Sequence, residues 1–89
     1  MAWRIELTAG AKKQLAKLDR GEAKRITKYV RERLAMLEDP RSKGKALTGP
    51  RLRTYWRYRI GDYRLICDIQ DGALLILVID IGNRKEIYR

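Results

Sequence analysis

Eighty-nine residues amount to a single domain, 1–89, with a modest core, and an apolar share of 45% excludes a disordered chain. Lys and Arg number 21 against 11 acids, a net charge of +10 with a pI near 10.2. Such a balance favours polyanionic partners, nucleic acid first and an acidic protein second. The lack of histidine and the single cysteine, Cys67, exclude histidine-based acid–base or nucleophile schemes, a disulfide framework and an ordinary structural zinc site.

Taken in order, Met1-Ala2-Trp3-Arg4 shows no signal-peptide pattern, and Trp3, Ile5 and Leu7 alternate with Arg4 and Glu6 as a half-buried strand does. Thr8 is placed to cap a short helix whose buried stripe is Ala11, Leu15 and Leu18. Asp19-Arg20-Gly21 breaks that pattern. A longer helix is expected from Glu22 to Glu38, with Ala23, Ile26, Val30, Leu34 and Leu37 at helical spacing and Asp39-Pro40 as its stop. The short connection predicts an antiparallel helical hairpin, whose cationic outer faces are read as solvated, contact with RNA being the alternative.

Residues 41 to 50 read as a basic loop, with a short strand around Ala46-Leu47-Thr48. Between 41 and 64 stand eight cations and one acid, Asp62, a local balance of +7 in 24 residues. Lys43, Lys45, Arg51 and Arg53 are the loop cations available to bind nucleic-acid phosphate.

Tyr55 to Leu65 alternates aromatic or aliphatic residues with arginines on either side of Gly61-Asp62, a tight-turn pair suited to type II′. That turn sets Ile60 opposite Tyr63, Arg59 opposite Arg64 and Tyr58 opposite Leu65. Trp56, Tyr58, Ile60, Tyr63 and Leu65 then share the core face, and Arg57, Arg59 and Arg64 share the other. Like charges directly opposite destabilise a sheet, so an anion is expected among them, the alternative being plain solvated arginines.

The strand from Tyr63 to Gln70 leads to Asp71-Gly72, read as a type I′ turn. Ala73 to Ile81, almost wholly aliphatic, follows as a central strand, and its apolar run, Ala73 to Ile79, is too short to span a bilayer. That register pairs Ile66 with Leu77 and Arg64 with Ile79. It also delivers Arg84 and Tyr88 to the sheet end that carries Arg59 and Arg64. Asp80 is expected to pair a nearby arginine. The predicted fold is α+β, an N-terminal strand and a helical hairpin packed on a small, mainly antiparallel twisted sheet.

Arginines bind phosphate through planar, permanently charged donors, and tyrosines among them stack on bases or hydrogen-bond a phosphate or ribose. The chemistry most open to such a set is RNA cleavage by the substrate's own 2′-hydroxyl, with the protein supplying alignment and charge. No metal or cofactor is called for.

This order of elements resembles the RelE toxins of the RelE/ParE toxin–antitoxin superfamily. The resemblance covers essentially the whole chain. Its most specific pieces are Tyr58-Arg59-Ile60-Gly61-Asp62-Tyr63-Arg64-Leu65 and Ile81-Gly82-Asn83-Arg84-Lys85-Glu86-Ile87-Tyr88-Arg89. It implies a cytoplasmic, ribosome-dependent endoribonuclease that cuts mRNA in the ribosomal A site. It further implies a small acidic antitoxin encoded nearby, and operator DNA bound only through the toxin–antitoxin complex.

By the same resemblance Arg64 and Arg84 grip the scissile phosphate, Tyr88 orients the nucleotide, and Arg57 or Arg59 neutralises charge. Lys85 and Arg89 join the RNA- and ribosome-binding set. Three positions depart from the family pattern. Arg57 and Arg59 stand where many members have lysine, and Asn83 where many have histidine. Arginine is a poor proton acceptor, which leaves Tyr88, Lys85 and Glu86 as open choices for a base. The alternatives are a ParE-like toxin acting on DNA gyrase and a non-catalytic basic RNA-binding module.

Overall fold

Alternating side chains make Tyr55–Ile60 (β3) and Tyr63–Gln70 (β4) a two-faced antiparallel ribbon, and the rest of the sheet grows outward from it. The computed structural model describes residues 3–47 and 55–83. Arg4–Leu7 is β1, Lys45–Ala46 is β2 and Leu75–Asn83 is β5; the strands lie in the order β1-β5-β4-β3-β2, with β1 parallel to β5 and the other pairs antiparallel. Two helices, α1 (Ala9–Lys17) and α2 (Arg20–Tyr29), pack on one face, α1 chiefly against β5 and α2 against β3.

The helix starts follow from side-chain caps. Thr8 accepts the Ala11 N–H at 3.1 Å and Asp19 accepts the Glu22 N–H at 2.9 Å, so both helices begin at residues able to satisfy a free amide. Ala11 and Ile26 then bury against Tyr58, Leu65, Cys67, Ile76, Val78 and Ile81 to form the core. Leu15 and Leu18 pack on it while half-buried. Burial holds the Cys67 thiol protonated, its pKa pushed up to about 12, as befits an inert core residue. Trp3 is buried too, and its N–H donates to the Ala35 carbonyl at 2.8 Å.

The second helix is shorter than its apolar spacing predicts. Regular α-helix ends at Tyr29 and gives way to a π-turn over Val30–Leu34, whose bond from the Ala35 N–H to the Val30 carbonyl measures 2.9 Å. The extra residue per turn keeps Val30 and Leu34 buried and frees the Ala35 carbonyl for Trp3. The helix therefore stops before Asp39-Pro40. Asp39 instead caps a short 3₁₀ turn, Pro40–Ser42. The small strand falls at Lys45–Ala46, one residue ahead of the expected position.

The β3–β4 register is as expected: Ile60 pairs with Tyr63, Arg59 with Arg64 and Tyr58 with Leu65. Gly61 has φ +59°, and no non-glycine at that turn has positive φ, the pattern of a type II′ connection. The β4–β5 register differs. Asp71-Gly72 is no two-residue turn; Asp71–Ala73 forms a 3₁₀ turn and Leu74 takes the left-handed conformation (φ 48°, ψ 46°). Gln70 thus pairs with Leu75. A register shift beside Ile66 and Cys67 then sets Ile66 opposite Asp80 and Arg64 opposite Gly82. Two residues in the connection and one in the strand account for the correction. The strand order also makes β4 the middle strand, with β5 between β4 and β1.

Candidate nucleic-acid interface

Arg59 and Arg64 face each other across β3 and β4. Arg57 shares their side of β3 by alternation. Arg59 is exposed and Arg57 half-buried, whereas the Arg64 side chain is only 19% exposed. Arg64 is held: its Nη2 lies 3.4 Å from Asp80 Oδ2, and its Nε is buried with no hydrogen-bond partner among the described residues. Asp80 in turn accepts from Gln14 Nε2 at 2.6 Å, and Gln14 Oε1 accepts the Ile81 N–H at 2.8 Å. One α1 side chain thereby closes a stretch of β5 that β1 has ceased to cover and fixes the carboxylate beside Arg64. The expected pairing of Asp80 with an arginine is met. It also supplies part of the negative charge that the facing arginines call for.

Lys43 and Lys45 are exposed and line a cleft with Tyr29, Gly44, Arg57 and Arg59. Three contacts carry them there. Tyr58, fully buried, donates its hydroxyl to the Pro40 carbonyl at 2.7 Å, and Trp56 Nε1 donates to the Lys43 carbonyl at 2.6 Å. Gly44, at φ +74°, lets the loop lie against β3, since a Cβ there would overlap the Arg57 carbonyl and approach the Tyr58 ring to 2.9 Å. Burial raises the Tyr58 phenol above its ordinary value, so it stays a donor. Trp56 and Tyr63 are half-buried edges of the core. Arg41 is spent elsewhere, in a two-pronged ion pair with Asp71 at 2.9 and 2.8 Å. The hydrogen bond from Arg41 lowers the Asp71 carboxyl below its usual value.

Arg51, Arg53, Arg84, Lys85, Tyr88 and Arg89, with Glu86, lie outside the described residues. Among the described residues β5 ends at Asn83, opposite Tyr63 and next to the Arg59–Arg64 pair.

Sequence reasoning missed one group and took a second for a solvated face. Gln14 sits among Ala11, Leu15 and Leu18, and a polar residue on that apolar stripe was the available signal. The other is a stripe on α2 and the turn after it, Arg25, Lys28, Tyr29, Glu32 and Arg33, spaced by three and four and lining a second cleft with Arg59, Ile60 and Gly61. Tyr29 and Arg59 border both clefts. Burial raises the Tyr29 phenol above its ordinary value, partly offset by Arg33.

Solved structures share this fold. The toxin–antitoxin complex RelBE2 from Mycobacterium tuberculosis matches with a TM-score of 0.84 at 23% identity, over 94% of this chain and 93% of that one. The isolated RelE toxin of E. coli matches at 0.73 and 22% identity, over 98% and 92%. The archaeal RelE–RelB complex from Pyrococcus horikoshii matches at 0.73 and 26% identity, over 94% and 97%. Two helices on a five-stranded mixed sheet are thus the fold that this chain shares with these RelE structures. No curated protein matches in sequence. The family model of the ParE toxin of the type II toxin–antitoxin system parDE matches residues 5–88, and the chain belongs to that family.

Proposed function

We propose that this toxin is a ribosome-dependent endoribonuclease that cuts mRNA in the ribosomal A site. The observation that carries the reading is the direct pairing of Arg59 with Arg64, the second oriented by Asp80. Two guanidinium groups on one sheet face suit a phosphate whose charge grows as its ribose 2′-hydroxyl attacks. The new bond joins the 2′-oxygen to phosphorus and the bond to the 5′-oxygen breaks, leaving a cyclic phosphate and a 5′-hydroxyl. Arg57 and Arg59 offset the charge, while Arg64 and Arg84 hold the phosphate. Tyr88 orients the nucleotide, and the base comes from Tyr88, Lys85 or Glu86. Lys43, Lys45, Arg51, Arg53, Lys85 and Arg89 hold flanking RNA or ribosome.

A cognate antitoxin is the second partner in this reading, because several similar structures are toxin–antitoxin complexes. Operator DNA is reached only through that complex, in the cytoplasm. The match to the ParE family favours one other reading, a toxin that poisons DNA gyrase without cutting RNA. Mapping 5′ ends on a translated message after induction separates the two. New ends inside codons, lost with Arg64→Gln, support the nuclease; intact messages with accumulated cleaved DNA–gyrase complexes overturn it.

A further inference from the structure

Apart from Arg59, which it shares with the hairpin site, the cleft between α2 and the β3–β4 turn has no part in the chemistry above. Its charge is nonetheless one-sided: Arg25, Lys28, Arg33 and Arg59 face one acid, Glu32. No ion pair engages any of these four cations among the described residues. The arrangement is built. The Arg25 guanidinium lies over the backbone of Gly61, close enough that a Cβ there would come within 2.9 Å of it. Glycine at the turn leaves room for an α2 cation beside the hairpin. Tyr29 and Arg59 join this cleft to the one bearing Lys43, Lys45 and Arg57, so cations line a path along the edge of β3. Ile60 is the sole aliphatic residue lining the α2 cleft, which offers little to anchor an apolar peptide side chain.

We propose that this cleft, with Arg25, Lys28, Tyr29, Arg33 and Arg59, is a second binding site that holds the sugar–phosphate backbone of single-stranded RNA beside the hairpin. The cations neutralise consecutive phosphates, and the Tyr29 hydroxyl donates to a phosphate or ribose oxygen at the junction of the two clefts. The choice of RNA as occupant rests on the nuclease reading; the site itself does not.

The test measures binding of the full-length chain to a short 2′-O-methyl RNA, whose blocked 2′-oxygen prevents cleavage, as salt is raised. The triple variant R25Q/K28Q/R33Q is compared with K12Q/K13Q/K17Q, which removes equal charge from α1. The cleft triple is expected to lower the log–log salt slope by about 2, at ~0.7 per phosphate contact, and the α1 triple to change it little. Tyr29→Phe is expected to weaken binding several-fold. Lys28→Gln alone, lowering the slope by about 0.7, serves if the triple fails to fold. Equal losses from both triples would mean attraction by net charge alone and overturn the site. So would competition by polyglutamate at equal charge with no effect of Tyr29→Phe, the mark of an acidic protein partner. A lower slope for the cleft triple in a toxin that cuts no message sinks the nuclease reading and keeps the site; cleavage with indistinguishable triples does the reverse.

Discussion

Arg64 is the residue on which the proposed chemistry turns, and its surroundings set two demands against each other. Asp80 orients the guanidinium but also competes with any incoming anion. The pair is partly exposed, at 19% and 35%, so its strength is of order 1 kcal/mol, far from that of a deeply buried pair. Asp80→Asn keeps an oxygen for Gln14 and removes the charge. It is expected to tighten binding of an uncleavable RNA by a few-fold, measured by fluorescence anisotropy at low salt. Weaker binding by a folded variant would show that orientation outweighs competition. The facing of Arg59 and Arg64 was legible from alternation around a two-residue turn. That Asp80 would pair an arginine was expected as well, but its register was not, because that depends on a connection and a bulge further along the chain. Gln14 was hidden for a simpler reason: nothing local says that a polar side chain on an apolar stripe will reach a strand edge.

Among the elements, the β4–β5 connection explains the main error of register. Asp-Gly favours a type I′ turn when both residues are free to take positive φ. Here Asp71 is held by Arg41 from thirty residues away, and Leu74, not Gly72, takes the left-handed conformation. The backbone choice at Leu74 has overruled the local signal, with the exposed Arg41–Asp71 pair adding little. Leu74 is 37% exposed and sits at φ 48°, a conformation that costs an L-residue about 1–2 kcal/mol. Leu74→Gly is therefore expected to raise stability by up to about 1 kcal/mol, offset in part by the freer unfolded chain. Denaturant unfolding reads this directly, and a loss of stability would mean that the Leu74 side chain matters more than its backbone. The helix starts, by contrast, were legible because Thr8 and Asp19 are local caps. The end of α2 was not, since the π-turn answers to the burial of Leu34 and to the Trp3 bond.

For the whole molecule, a net charge of +10 on 89 residues is a statement about partners before it is one about fold. The fold gathers much of that charge along β3, its turn and the flank of α2, while the core face of the sheet is left to aliphatic and aromatic side chains. Composition and alternation made the concentration visible around the hairpin. The α2 contribution emerged only once the helix lay beside β3. A basic edge of this kind serves a nuclease, a gyrase poison or a simple RNA binder, so the reaction itself has to decide between them. The most direct measurement uses a ribosome-bound message with a single 2′-deoxynucleotide at the position the toxin cuts. The account predicts that cleavage vanishes at that position alone, while the all-ribose message yields a cyclic phosphate and a 5′-hydroxyl. Undiminished cleavage at the 2′-deoxy position would contradict it.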